Sequence, residues 1–135
     1  SEFSDEAKII SKAREVNNLK TDWCLEQIED AIKLFNLQKG KIPRVALMGL
    51  SFKPNIDDLR ESPAKKIVEL LINKHGSDFF TIIEPNISEH YQLKIEPLSS
   101  ASHCDIIIFL VAHNQFRDLT FDRDKLVIDF CGVTN

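Results

Sequence analysis

The segment from residue 49 to residue 63 carries the side chains best suited to bind a charged ligand. Lys53 supplies a compact positive charge for a phosphate or sugar oxygen, and Arg60 supplies a planar fork that can hold an oxyanion through two hydrogen bonds. The same segment contains three carboxylates, Asp57, Asp58 and Glu61. Neighbouring opposite charges commonly pair, so residue types alone favour a structural role for both cations. Phe52 is open to two interpretations, as a ring that stacks on a ligand or as an anchor to the core.

The flanking residues predict where this segment lies in the fold. The apolar run 44–50 before it indicates a buried strand, and Ser62-Pro63 after it supplies an N-cap residue followed by proline at the first helical position. In sheets of parallel strands, ligands bind beyond the carboxyl ends of the strands, with anions near helix N-termini. Gly49 is the only glycine of the segment, so it is not a dinucleotide-binding GxGxxG turn.

The other reactive residue types give weaker signals. The histidines, His75, His90, His103 and His113, lack metal-ligand spacing, so no metal site is expected. His113 follows the apolar run 105–111 and therefore lies at the ligand edge of the predicted sheet, although a polar residue that begins a short helix is the favoured interpretation. Three widely spaced cysteines, Cys24, Cys104 and Cys131, indicate small buried side chains and no disulfide framework. The serine-rich stretch 99–102 is predicted to begin a short helix.

Hydrophobic periodicity predicts an α/β fold. We expect a small Rossmann-like parallel sheet with helices on both faces, preceded by a helical arm. The predicted strands are 44–50, 79–83, 105–111 and 125–130, and residues 88–98 give no clear signal. The predicted helices are 7–16, 21–36 and 63–75, with short ones near 99–103 and 114–119. These elements divide the chain into an arm, 1–40, and a domain, 41–135.

Composition excludes several classes of function. The formal net charge is −4 and no dense cluster of Lys and Arg occurs, which argues against nucleic-acid binding. No apolar run approaches the roughly 20 residues that span a bilayer. The first residues show no signal-peptide pattern, and 1–3 are interpreted as a possible cloning remnant.

The segment 49–64, Gly-Leu-Ser-Phe-Lys-Pro-Asn-Ile-Asp-Asp-Leu-Arg-Glu-Ser-Pro-Ala, resembles the C-terminal signature of UDP-sugar dehydrogenases, which oxidise the C6 alcohol of a nucleotide sugar to a carboxylate. Four weaker stretches support the resemblance by their order: 13–17, 84–86, 105–116 and 127–132. The residues around Ile56 are more similar to those of UDP-N-acetylmannosamine enzymes than to those of UDP-glucose enzymes.

This resemblance implies a domain organisation and a set of contacts. The family has an N-terminal NAD-binding domain, a central helix for dimerisation and a C-terminal Rossmann-like domain that binds UDP. Residues 1–40 would be the end of the central region, and 41–135 the UDP-sugar-binding domain. Phe52 and Lys53 would contact the UDP-sugar, and Arg60 would reach toward NAD held mainly by the N-terminal domain. The parent enzyme is expected to be a cytoplasmic homodimer that supplies uronic-acid sugars to a surface polysaccharide.

Two departures from the family pattern limit what the chain is expected to do. The motif of the catalytic cysteine and the NAD-binding glycines are missing, so no catalytic residue is assigned and the chain alone is expected to be inactive. Cys131 stands where the family often has a basic residue before the glycine that matches Gly132, so a ligand contact there is not expected.

Two alternatives remain open on sequence grounds. One is a Rossmann-like interaction or dimerisation module without ligand binding, suggested by the apolar face around Trp23, Ile28 and Phe35. The other is the corresponding part of a UDP-glucose 6-dehydrogenase. A response-regulator-like module fits poorly, because Asp57 and Asp58 lie too far beyond the end of the first strand.

Overall fold

A computed structural model describes residues 20–134, and the predicted helix at 7–16 lies outside this range. Within this range there are two α-helices and five strands: α1 (Thr21–Lys39), β1 (Val45–Met48), α2 (Pro63–His75), β2 (Phe80–Ile83), β3 (Ile95–Glu96), β4 (Ile106–Phe109) and β5 (Leu126–Asp129). Two short 3-10 helices, Leu98–His103 and Asn114–Phe116, precede and follow β4.

The five strands form one parallel sheet in the order β3-β2-β1-β4-β5. Val45 of β1 is in register with Phe80 of β2 on one side and with Ile106 of β4 on the other. From β1, the chain adds β2 and β3 on one side of the sheet, and then crosses over to add β4 and β5 on the other side. The topological switch point therefore lies between β1 and β4, where such folds bind ligands.

The two faces of the sheet carry different helices. Val45 and Leu47 of β1 belong to the cluster formed with α1 and α2, whereas Ala46 and Met48 belong to the cluster on the opposite face. That second face is covered by the two 3-10 helices, through Ala101 and Phe116, together with the chain after β5. Both faces are thus covered, which explains why every residue of β1, β2 and β4 is buried.

Helix α1 packs on the domain through its apolar stripe. Cys24, Ile28, Ala31 and Ile32 are buried in the same cluster as the sheet and α2. The Trp23 ring meets the Phe130 ring edge-on, with centroids 5.9 Å apart. The helix ends at Gly40, whose left-handed backbone suits a C-cap glycine.

The main difference from the predicted elements is strand β3. It contains only Ile95 and Glu96, both half-buried at the edge of the sheet, within the stretch 88–98 that gave no signal. Two residues are too few for a hydrophobic period to show. The predicted short helices at 99–103 and 114–119 are present as 3-10 helices.

Candidate functional site

The site lies at the carboxyl edge of the sheet, around the loop from residue 49 to residue 62, here called the β1–α2 loop. Ser62 ends the loop and caps α2, because its Oγ accepts a hydrogen bond from the Lys65 N–H at 3.1 Å. The same hydroxyl donates to the Leu50 carbonyl at 2.6 Å. The predicted helix start is therefore confirmed, and its cap also ties the end of the loop back to its beginning.

Gly49 lets β1 and β4 approach closely at the switch point. Its φ is +106°, and a Cβ built there would lie 2.7 Å from the Val111 Cβ and 2.9 Å from the Val111 N. No other residue type fits this position without moving the backbone of the adjacent strand end.

Glu84 directly follows β2 and is only 1% exposed. Its Oε1 accepts hydrogen bonds from the N–H groups of Leu50 at 2.8 Å and Ser51 at 3.2 Å, and its Oε2 accepts from the Asn86 N–H at 2.9 Å. Burial by itself raises the pKa of this carboxyl, but the hydrogen bonds from His113, Leu50 and Asn86 outweigh it, so the pKa is lowered. Glu84 is therefore an anion that fixes the start of the loop.

His113 follows β4 and is fully buried against the same loop. Its Nε2 lies 2.9 Å from Glu84 Oε1, and its Nδ1 accepts a hydrogen bond from the Asn55 N–H at 2.8 Å. Because a ring nitrogen that accepts from an N–H carries no proton, Nε2 must be the protonated nitrogen that donates to Glu84. Both ring nitrogens are thus engaged within the protein.

Two asparagines complete the network. Asn55 has a left-handed backbone, with φ of 65°, and its Oδ1 accepts from the Asn114 N–H at 2.7 Å. The Asn86 side-chain amide lies 3.2 Å from His113 Nδ1 and 3.3 Å from the Ile56 carbonyl. The loop is therefore held by the residues that follow β2 and β4, the two strands on either side of β1.

Phe52 and Lys53 lie on the outer side of this anchored loop. The Phe52 side chain is 43% exposed, and the Lys53 Nζ lies 5.8 Å from the centre of its ring. Among residues 20–134, Lys53 takes part in no ion pair. The expected pairing of this lysine with a loop carboxylate is therefore not observed, and its charge faces solvent.

Arg60 does pair with a loop carboxylate. Its Nε and one terminal nitrogen donate to the two oxygens of Asp58, at 3.0 and 2.9 Å, while the arginine side chain remains 87% exposed. The hydrogen bonds from Arg60 lower the pKa of Asp58 to about 2. The same pairing raises the pKa of Arg60, so the fork is charged and occupied on one edge.

Cys104 and Cys131 lack the properties of a catalytic nucleophile. Burial raises the pKa of the Cys104 and Cys131 thiols, so neither is the low-pKa thiolate that nucleophilic catalysis requires. In the described range, no group of three or more His, Cys, Asp or Glu residues is arranged to hold a metal ion. Over the same residues, no helix is both long and apolar enough to cross a membrane.

The sequence predicts that Phe52, Lys53 and Arg60 lie on a loop and that His113 lies at the ligand edge of the sheet, but not the hydrogen bonds by which Glu84 and His113 hold the loop. Glu84 and His113 each follow a buried strand, and these strands flank β1, so a polar residue at both positions was a usable signal. The favoured interpretation of His113 as a polar residue at a helix start was incomplete, because the residue precedes the 3-10 helix yet is wholly buried.

The strand order, the switch point and the anchored loop define a Rossmann-like nucleotide-binding domain. A sequence profile of the UDP-glucose/GDP-mannose dehydrogenase family, UDP binding domain, matches residues 46–135. The chain belongs to this family and corresponds to its C-terminal, UDP-binding domain.

Curated relatives of the chain are named as dehydrogenases of N-acetylated nucleotide sugars. An NDP-N-acetyl-D-galactosaminuronic acid dehydrogenase of Ralstonia nicotianae is 37% identical over 96% of the chain and 31% of the relative. UDP-N-acetyl-D-mannosamine dehydrogenases of Escherichia coli and Campylobacter jejuni are 34% and 38% identical, over 95% and 94% of the chain and 33% and 31% of the relatives. The chain thus spans about a third of the length of the curated relatives it matches.

Solved structures share the fold. The UDP-N-acetyl-mannosamine dehydrogenase Cap5O of Staphylococcus aureus superposes with a TM-score of 0.63 over 84% of this chain and 31% of that chain, at 20% identity. A GDP-mannose dehydrogenase of Pseudomonas aeruginosa gives a TM-score of 0.51 over 76% of this chain and 28% of that chain, at 25% identity. Both comparisons support the expected α/β fold.

Proposed function

We propose that the chain binds the nucleotide part of a UDP-sugar for an NAD-dependent UDP-sugar 6-dehydrogenase. The observation that carries the proposal is the β1–α2 loop, which presents an exposed aromatic ring and a lysine that forms no ion pair within residues 20–134, at the carboxyl edge of a Rossmann-like sheet. Phe52 offers a flat apolar surface to a base or sugar, and Lys53 offers a cation to a phosphate or sugar oxygen. Carboxylates would repel the diphosphate, which favours Lys53 as the ligand contact over Asp57, Asp58 or Glu61.

The sugar is proposed to be N-acetylmannosamine. Two observations support this sugar. The residues around Ile56 are more similar to UDP-N-acetylmannosamine enzymes, and several relatives are named as dehydrogenases of N-acetylated amino sugars. UDP-glucose is the competing substrate. Relatives named for N-acetyl-D-galactosaminuronic acid share the N-acetyl group but not the mannose configuration, so the names support the acetamido group more than the configuration of the sugar.

Arg60 is proposed to contact NAD. When bound, NAD would accept the hydride removed from C6 of the sugar. The described residues fit a single contact and not a dinucleotide cradle, because the loop has only one glycine, and Arg60 is the exposed cation of this loop nearest to the start of α2. Asp58 leaves one edge of the guanidinium open, so Arg60 can meet a phosphate from that side while Asp58 keeps it in place.

We propose no catalytic residue within the chain and no metal. The sequence contains neither the cysteine motif nor the NAD-binding glycines that the family resemblance predicts for catalysis. The nucleotide-sugar site supplied here would then work together with the remainder of a dehydrogenase chain. A cytoplasmic homodimer is proposed for the whole enzyme.

The alternative of an interaction module without a ligand is less well supported. Its motivation was the apolar face of α1, but Ile28 is fully buried against the sheet, and Trp23 and Phe35 are packed on the same core. That face is therefore largely used within the domain.

The test is the thermal stability of the chain with UDP, UDP-N-acetylmannosamine, UDP-glucose or NAD, each at millimolar concentration. A ligand that binds only the folded state stabilises it by about 2.7 kcal/mol when its concentration is 100 times Kd. The UDP-containing ligands should raise the Tm, UDP-N-acetylmannosamine at least as much as UDP-glucose, and NAD alone should not. No shift with any UDP compound would overturn the proposal in favour of the interaction module.

The matched variants are Lys53→Ala and Arg60→Ala. Each removes one exposed cation from the same loop and makes the formal net charge of −4 more negative by one unit. The UDP-induced shift should disappear in Lys53→Ala and persist in Arg60→Ala. Equal losses in both variants would mean that the two cations act only through non-specific charge, and the assignment of Lys53 would be wrong.

A further inference from the structure

His113 contacts the β1–α2 loop on both sides of Lys53. On one side, Nδ1 accepts from the Asn55 N–H at 2.8 Å. On the other, Nε2 lies 3.3 Å from Ser51 Oγ, and that hydroxyl donates its own hydrogen to the Lys53 carbonyl at 2.7 Å. Since the Ser51 hydrogen is already used, Ser51 Oγ can only accept from Nε2. All these contacts require the same form of the ring, with the proton on Nε2.

Glu84 selects that form. Its Oε1 lies 2.9 Å from Nε2 and also accepts from the N–H groups of Leu50 and Ser51, so it is an anion that attracts the imidazole proton to the Nε2 side. The opposite tautomer would turn the Nδ1–H against the Asn55 N–H and leave two lone pairs facing each other at Glu84. Both arrangements are costly around side chains that are as fully buried as His113 and Glu84.

The backbone between Ser51 and Asn55, the two loop residues that His113 contacts, is short and conformationally restricted. Pro54 follows Lys53 and restricts it to an extended conformation, and Asn55 adopts a left-handed one. Fixing residues 51 and 55 therefore fixes the backbone of Lys53 between them. A loop ordered before the ligand arrives loses less conformational entropy on binding, which raises affinity.

We propose that His113, held in its Nε2-protonated neutral form by Glu84, is a positioning residue for Lys53 and thereby sets the affinity for the UDP-sugar. The ring is fully buried with both nitrogens occupied, so it acts through the loop and does not touch the ligand. This inference rests on the proposed function, because it assigns Lys53 to the nucleotide sugar.

Two variants of His113 separate the contact of Nδ1 with Asn55 from the contacts of Nε2 with Glu84 and Ser51. In His113→Asn, the amide oxygen can take the place of Nδ1 and accept from the Asn55 N–H, while the contacts with Glu84 and Ser51 are lost. In His113→Gln, the amide N–H can take the place of Nε2 and donate to Glu84, while the Asn55 N–H is left without an acceptor. The pair is measured for Tm without ligand and for Kd of UDP by calorimetry.

We expect His113→Gln to weaken UDP binding about tenfold and His113→Asn to weaken it no more than about threefold. A purely structural histidine would instead make the loss of affinity follow the loss of Tm in both variants. Equal Kd values for wild type and His113→Gln would overturn the inference. Failure of the wild-type chain to bind UDP would instead overturn the proposed function.

The tautomer is tested independently of folding in the variants. A nitrogen-15 spectrum of the imidazole in the wild-type chain should show a protonated Nε2 and an unprotonated Nδ1 at neutral pH. A protonated Nδ1 would contradict the hydrogen bond from Asn55 and with it the inference.

Discussion

Glu84 shows at the scale of one residue how a buried charge is made favourable. Its carboxylate accepts four hydrogen bonds, three at one oxygen and one at the other, with donors from the loop, from His113 and from Asn86. Because these bonds stabilise the charged form more than burial disfavours it, the pKa in the folded chain lies below the ordinary value of 4.5.

The lowered pKa gives Glu84 a pH-dependent contribution to stability. The contribution is present above pH 4.5, the pKa of the unfolded state, and is lost as pH falls through the folded-state value. We expect Glu84→Gln to lower the free energy of unfolding by about 1–3 kcal/mol at pH 7. The difference from wild type should shrink below pH 4.5, as measured by urea unfolding from pH 7 to pH 3.

The control for this prediction is Glu89→Gln, an exposed carboxylate on the segment after β2. It should change stability by no more than about 0.5 kcal/mol at either pH. A Glu84→Gln difference that stays constant down to pH 3 would mean that the charge of Glu84 plays no part in anchoring the loop.

The exposed position of Phe52 and Lys53 on a loop and the position of His113 at the ligand edge of the sheet could be predicted from local sequence, but the hydrogen bonds of the buried residues could not. Ser62-Pro63 predicts the start of α2, and Lys53 lies on a polar loop that is expected to face solvent. The link between Glu84 and His113 joins residues 29 positions apart, and the link between Asn55 and His113 joins residues 58 apart. These contacts depend on β1 lying between β2 and β4, and this strand order cannot be read from the local sequence.

At the scale of elements, the junction of β1 and β4 decides whether the loop is correctly placed. Gly49 follows β1 with a φ of +106° and lies against Val111, just beyond β4. Gly40, at the end of α1, also has a positive φ, of +70°, but a Cβ there would meet no atom within 4 Å. Both glycines therefore have a left-handed backbone that disfavours other residues, but only Gly49 lacks space for a side chain.

We expect Gly49→Ala to destabilise the chain by about 2–6 kcal/mol, the sum of backbone strain and overpacking against Val111. Gly40→Ala should cost about 1–2 kcal/mol, since only the left-handed backbone opposes it. Denaturant unfolding of the two variants measures both values. A Gly49→Ala variant as stable as Gly40→Ala would show that the strand ends are not closely packed.

Elements of several apolar residues were predictable, and the two-residue strand was not. β1, β2, β4 and β5 each contain four residues of the sheet within longer apolar runs, so their pattern stands out. β3 has two half-buried residues and pairs only with β2. Its position is decided by the edge of the sheet and not by its own sequence.

At the scale of the whole molecule, α1 packs on the core of the domain. Its apolar stripe could equally have served a partner, and periodicity alone cannot distinguish the two cases. The structure buries Ile28 and Ala31 against the sheet. Leu37, in the last turn of α1, and Ile42, before β1, are exposed near the amino edge of the sheet and away from the β1–α2 loop.

The central claim is that UDP binds at the carboxyl edge, on the β1–α2 loop, and amide shift mapping tests it most directly. The chain of 15.5 kDa suits nitrogen-15 spectra recorded during a titration with UDP. We expect the largest shifts at the amides of Phe52, Lys53 and Asn55, with no change at Leu37, Ile42 or Phe79 near the amino edge. Shifts confined to the amino edge, or none at millimolar UDP, would contradict the account.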